Sequence, residues 1–315
     1  MPITVPPLSR RKFVSGTMGL AGAAALTPLL SADDSKTEVP LDNDRVALLA
    51  DTHISADPKQ FYYGTKWPGT PVKDGEHEGV NMADCLAAVV KDVLAQNPLP
   101  AHAVVNGDCA LSNGKPEEYQ EFIRLIKPLR QAGITVHVTI GNHDNRQRLW
   151  KAIPEFKSEE LGRQVGVVEL PKANFVLLDS DRGTMGEEQF NWLDKTLAAL
   201  GDKPVIGFGH YHPYPHFGVR PGPGQRDGAS LLPVLKKHKN LKAYCYGHTH
   251  NWVVEQKSDI HFINQLPVSY YFAKGLPHGW VDMKLGDTGA EIEMRCVNAN
   301  HAQHKERHTL NWRKG

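Results

Sequence analysis

The sequence is 315 residues long, enough for one large α/β domain or two small ones. Hydrophobic residues make up 40% and charged residues 23%, which allows a buried core and excludes a disordered chain. The formal net charge is +1, and beyond residue 32 there are 33 basic against 35 acidic residues, so no basic face for nucleic acid or an anionic membrane is indicated.

The N-terminus reads as an address. Ser9-Arg-Arg-Lys-Phe-Val14 precedes an uncharged, Ala/Gly-rich stretch from Gly16 to Leu30. The pattern resembles a twin-arginine export signal and is less apolar than a membrane span of about 20 residues. The alternative is an uncleaved N-terminal membrane anchor. The resemblance implies engagement of the export machinery and a periplasmic or extracellular protein. Residues 1–32 are therefore set apart as a signal peptide and 33–43 as a linker. A catalytic domain is expected over 44–300 and a C-terminal tail over 301–315.

From Arg45 the chain alternates strand-like and helix-like segments. Arg45–Ala50 is an apolar run ending at Asp51-Thr-His53, followed by an aromatic, Gly/Pro-rich loop over 54–80. Asn81 is suited to cap a helix reaching about Gln96. Ala103–Val105 reads as a strand ending at Asn106-Gly-Asp108. Pro116–Ala132 reads as an amphipathic helix with Pro128 expected to kink it. Ile134–Ile140 is strand-like and ends at Gly141-Asn-His-Asp144. Val165–Leu170 and Phe175–Leu178 predict a hairpin, and Gly186–Leu200 a helix. Val205–Phe208 predicts a strand ending near His210, and Ala243–Tyr246 one ending at Gly247-His-Thr-His250. Trp252–Gln256, His261–Asn264, Val268–Phe272, Gly279–Leu285 and Glu291–Val297 predict a β-rich finish.

Five apolar runs thus end in polar clusters: Asp51/His53, Asp108, Asn142/His143/Asp144, His210 and His248/His250. In an open α/β sheet, functional groups gather at the carboxyl ends of strands. The set holds carboxylate, amide and imidazole but no thiolate, which suits borderline divalent ions such as Mn, Fe, Co or Zn. Histidine is abundant, at 16 residues, while the four cysteines are scattered without a CxxC pair. Cys109 and Cys245 read as packed small hydrophobes, with a disulfide left open by an oxidising compartment. There are more candidate ligands than one ion uses, and two ions roughly 3.5–4 Å apart share such a set in phosphoryl displacement.

The ordered blocks DxH, GD, GNHD, a strand-end His and GHTH resemble the calcineurin-like metallophosphoesterases, over Asp51 to His250. That resemblance implies a four-layer α/β/β/α sandwich of two mixed β-sheets flanked by helices, completed in its second sheet by the strands after His250. It implies two divalent metal ions: one on Asp51, His53 and His250, the other on Asn142, His210 and His248, with Asp108 bridging. A metal-bridging hydroxide would attack the phosphorus of a small-molecule phosphate mono- or diester. His143 would assist the leaving oxygen and Asp144 would orient His143. Gly107, Gly141 and Gly247 would let the backbone pass close to the metals.

The fourth block reads His210-Tyr-His-Pro213 in place of the usual His-His-Pro; strand-end placement favours His210 over His212. Arg146 is expected as a solvated arginine at a helix start, with a phosphate contact as the alternative. Phe61, Tyr62, Tyr63 and Trp67 read as loop packing or an aromatic rim. Tyr211, His216 and residues 217–227 read as a surface loop or flap. His301, His304 and His308 are expected in a solvated tail. A catalytically silent, metal- or partner-binding member of the same fold is the alternative function.

Overall fold

The computed structural model describes residues 39–62, 79–214, 224–272 and 275–314. The expected signal peptide, Tyr63, Trp67, His216 and most of the flap segment lie outside the described residues.

Strand β1 (Leu41–Leu49) is the hinge of the architecture, with β4 (Leu99–Asn106) parallel on one side and β12 (Gly279–Leu285) antiparallel on the other. With β5 (Thr135–Thr139), β13 (Gly289–Cys296) and β14 (Arg307–Asn311) they form a mixed sheet in the order β14-β13-β12-β1-β4-β5. The second mixed sheet runs β10-β11-β9-β8-β7-β6, from β6 (Gly166–Glu169), β7 (Asn174–Leu177), β8 (Val205–Phe208), β9 (Leu241–Tyr246), β10 (Val253–Lys257) and β11 (Ile260–Asn264). A two-stranded ribbon joins β2 (Phe61–Tyr62) to β3 (Val80–Asn81).

Side-chain alternation along β1 explains the layering. Val46 and Leu48 point into a core shared with Phe175, Phe208 and Cys245 of the second sheet. Ala47 and Leu49 point the other way, under helices α1 (Met82–Leu94) and α2 (Pro116–Gln131). The outer face of the second sheet is covered by α4 (Gly186–Ala199) and α5 (Gly228–Lys237), through Leu193, Leu197, Leu231 and Leu235. Helix α3 (Arg146–Ala152) adds Leu149 to the first outer core. The result is the expected four layers. Asn81 caps α1 by accepting from the Asp84 amide at 2.9 Å. Helix α2 runs on through Pro128 to Gln131.

Several expectations need correction. Strands β12, β13 and β14 complete the first sheet through β1, and only β10 and β11 join the second. The supposed tail contributes β14, paired with β13 from Glu293↔Arg307 to Gly289↔Asn311. Within it His308 Nε2 lies 2.7 Å from Glu306 Oε1, and His304 Nδ1 accepts from the Cys296 amide. The supposed linker is strand from Leu41 onward. Val268–Phe272 is not a strand: the Val268 and Ser269 amides donate to Ala50 and Asp51 oxygens at the exit of β1. All four cysteines are buried and free. No helix among the described residues is long and apolar enough to cross a membrane.

Candidate metal centre

Strands β1, β4 and β5 are parallel neighbours, as are β8 and β9, and the loops after all five converge. The turns that present the side chains are tight. Asp51, His53, Asp108, His248 and His250 all adopt positive φ, between 44° and 67°. This left-handed region costs a non-glycine residue roughly 1–3 kcal/mol and persists where the surroundings impose it. These are half of the non-glycine residues with positive φ among those described, gathered at one place. Gly141 is required for close approach: a Cβ there would collide with Asp108 Oδ1.

Three overlapping donor groups result, each with its atoms within 4.8 Å of one another: Asp51/His53/His250, His53/Asp108/His143 and Asp108/His210/His248. Both carboxylates are almost fully buried. Asp51 accepts from the His248 amide at 3.1 Å, and Asp108 Oδ1 from the His143 amide at 2.8 Å. Nε2 of His250 lies 3.0 Å from Nε2 of His53 and 3.4 Å from Asp51 Oδ1. His212, though buried, belongs to none of these donor groups and packs its ring against Tyr246 at 5.8 Å.

Proton positions follow from the neighbours. His210 Nδ1 lies 3.0 Å from the Asn106 carbonyl, which can only accept, so the neutral ring carries its proton on Nδ1. Its Nε2 lone pair then faces Asp108 Oδ2 at 3.1 Å, without hydrogen-bond alignment. Likewise His250 Nδ1 donates to the Tyr270 carbonyl at 2.6 Å, freeing Nε2. Asn142 Oδ1 is buried with no hydrogen-bond partner. Lone pairs and carboxylates aimed at one another in a dry interior are unfavourable unless a cation lies among them. The residues present therefore fit divalent metal. Without one, the site demands positive charge: burial alone would lower the His210 pKa, but Asp108 and Asp51 raise it to about 10. Burial would raise the Asp51 pKa, yet His250 and His210 hold it well below the usual carboxylate range. Burial lowers His53 to about 4 and His248 to about 3.

His143 stands edge-on to His53 at 4.8 Å, with Nδ1 held by the Leu111 carbonyl. Asp144 does not hold that ring. Its carboxylate accepts from the amides of Cys109, Ala110 and Gly141 and from the Tyr119 hydroxyl, at 3.0–3.2 Å. It ties the Asp108 loop to the Asn142 loop, and adjacency in sequence misled on its partner. Burial, then the charge of Asp108, raises its pKa to about 7. Arg146 is partly buried and engaged: its Nε donates to fully buried Asp179 at 2.6 Å. An aromatic wall that the motifs did not indicate backs the centre, with Tyr270 4.8 Å from His53, Phe272 stacked 4.4 Å from His250, and Tyr62 stacked 3.8 Å from Tyr270. Tyr62 belongs to the expected aromatic segment and packs inward here.

Stacked mixed sheets with Asp, Asn and His clusters on their strand ends define a class, the metal-dependent hydrolases of phosphate esters. The chain belongs to the calcineurin-like phosphoesterase family, whose profile matches residues 44–252. A 3',5'-cyclic adenosine monophosphate phosphodiesterase of Pseudomonas aeruginosa is 25% identical over 203 residues, 62% of this chain and 71% of its own. A glycerophosphodiester phosphodiesterase of Enterobacter lignolyticus is 26% identical over 180 residues, 54% of this chain and 63% of its own. A dimetal phosphatase from Danio rerio shares the fold, with a TM-score of 0.62 at 17% identity over 85% of this chain and 99% of that one.

Proposed function

We propose that the protein hydrolyses small phosphodiesters with two divalent cations. Asp51, His53 and His250 would hold one, and Asn142, His210 and His248 the other, with Asp108 serving both. The observation that carries this reading is the convergence of buried donor atoms, those of Asp51, His53 and His250 within 4.8 Å of one another and those of Asp108, His210 and His248 likewise, each a set that a cation would satisfy. What such a pair of cations supplies is Lewis acidity towards phosphate oxygens and activation of water. The preference for diesters rests on the names of the relatives, a cyclic nucleotide and a glycerophosphodiester phosphodiesterase.

The chain's own groups then have distinct tasks. His143, with Nδ1 engaged by the Leu111 carbonyl, meets the substrate through Nε2. It protonates a departing oxygen only when it carries both ring protons, and otherwise accepts a hydrogen bond there. Asp144 keeps the Asp108 and Asn142 loops together rather than handling a proton of the substrate. The aromatic wall of Tyr270 and Phe272 limits water access behind His53 and His250.

The test is a parallel assay of bis-(p-nitrophenyl) phosphate and p-nitrophenyl phosphate after loading with Mn, Fe, Co or Zn. Diester turnover proportional to metal content is expected. Protein carrying two equivalents and cleaving neither ester would reject the reading in favour of a silent, metal-binding member of the fold.

The proposal includes export. It is supported by Arg10-Arg11 and the uncharged segment that follows them. Cell fractionation of the wild type and of an Arg10→Lys, Arg11→Lys double variant decides it; a wild type confined to the cytoplasm removes this part.

A further inference from the structure

We infer that Asn106 is a positioning residue that holds the two sheets in register across the metal centre, so that ligands from both meet at Asp108. The inference rests on the two-cation reading above and adds a residue outside the donor set.

Asn106 ends β4, two residues before Asp108, and is fully buried. Its neighbours Val104 and Leu48 point into the apolar core between the sheets, where a valine or leucine would satisfy packing. An amide sits there instead, and its bonds are directed. Nδ2 donates to Gln265 Oε1 at 2.7 Å and to the Cys245 carbonyl at 3.2 Å. Oδ1 accepts from Thr139 Oγ1 at 2.7 Å. The Cys245 carbonyl cannot donate, so the amide has one orientation, and Gln265 is oriented in turn.

Each partner adjoins a ligand loop. Thr139 ends β5, just before Gly141 and Asn142. Cys245 lies in β9, just before Gly247 and His248. The main-chain amide of Gln265 donates to the Tyr246 carbonyl at 2.7 Å, bracing the same strand end. The main-chain oxygen of Asn106 takes the Nδ1 proton of His210, which aims Nε2 at Asp108. That ring fits because Gly107, at φ +77°, has no Cβ to strike it. One residue of the first sheet therefore touches, directly or through a single partner, the exits of β5, β8 and β9. Directed hydrogen bonds in a buried network of this kind specify a geometry that apolar packing leaves loose.

The experiment uses the full chain, stripped of metal and titrated with Co(II) by calorimetry, with the visible absorption of bound Co(II) recorded alongside. Asn106→Asp keeps the volume but turns an acceptor towards the Cys245 carbonyl. Thr139→Val keeps the volume and removes one hydrogen bond. Asn240→Ala is the control for lost stability, because that buried amide donates to the Leu197 and Gly201 carbonyls at 2.7 Å, on the helix side of the second sheet.

Wild type and Asn240→Ala are expected to take up two equivalents with the same affinity. Asn106→Asp should weaken at least one equivalent 10- to 100-fold and change the absorption spectrum, the scale expected when an outer partner of a metal ligand is lost. Thr139→Val should do the same to a smaller extent. Should Asn106→Asp not fold, Thr139→Val decides. Wild-type affinity and spectrum in the folded variants would overturn the inference and leave Asn106 a packing residue. A wild type that takes up no Co(II) is a separate result, which overturns the two-cation reading and this inference with it.

Discussion

Leu111 holds Nδ1 of His143 through its main-chain oxygen, so the ring is aimed by backbone rather than by the acidic residue that follows it in sequence. His143→Ala is accordingly expected to lower kcat on an aryl diester by about 10²–10⁴-fold. Metal content should stay at the wild-type level if His143 acts on the substrate. Turnover and elemental analysis on the same preparation check this, and unchanged kcat removes His143 from the chemistry.

Asp51 and Asp108 are buried carboxylates held as anions by neighbouring imidazoles. Cations that bind the folded state alone stabilise it, by about 4 kcal/mol when present at 1,000 times their dissociation constant. Chelation should therefore lower the melting temperature, and Mn or Zn should restore it. Asp108→Asn should lose most of that response. An identical melting curve with and without chelator would count against resident metal.

Tyr119 bridges two parts of one loop system, donating to Asp144 at 3.2 Å while accepting from the Asn145 amide at 2.7 Å. Tyr119→Phe leaves that partly buried amide without its acceptor. A loss of about 1–3 kcal/mol of unfolding free energy in urea is expected. A change below a few tenths of a kcal/mol would show that the loop finds another partner.

Glu293 of β13 joins the last strand to its sheet, accepting from Arg307 at 2.6 Å and from Arg295 at 2.8 Å. Burial would raise its pKa, but the two arginines lower it below the usual glutamate value. A depressed folded pKa means stability that is present above the unfolded value near 4.5 and is lost as pH falls through the folded value. Glu293→Gln should cost about 1 kcal/mol at neutral pH, the scale of a well-aligned surface pair. The gap between wild type and variant should close as pH drops below 4.5. A gap independent of pH would mean that the charge is not the source.

The strand-end clusters were legible in sequence because each follows a short β-branched or apolar run and a glycine or turn. Partner choice was not legible. Gly279–Leu285 reads correctly as a strand, but nothing in its own residues says that it lies beside β1 rather than β11. Val268–Phe272 has strand-like composition, yet its amides serve the exit of β1 and its rings pack behind His250, a tertiary use that overrides propensity. Helix α5 escaped notice because Pro233 interrupts its pattern. Asn106 looked like the ordinary polar end of a strand, since the four bonds that distinguish it reach residues far along the chain.

Arg45 and Asp282 are joined by a 2.8 Å hydrogen bond across 237 positions of sequence. The opening strand of the domain therefore stays an unprotected edge on one flank until β12 has been made. A chain ending before β12 would emerge with that flank of β1 open to pairing with other chains.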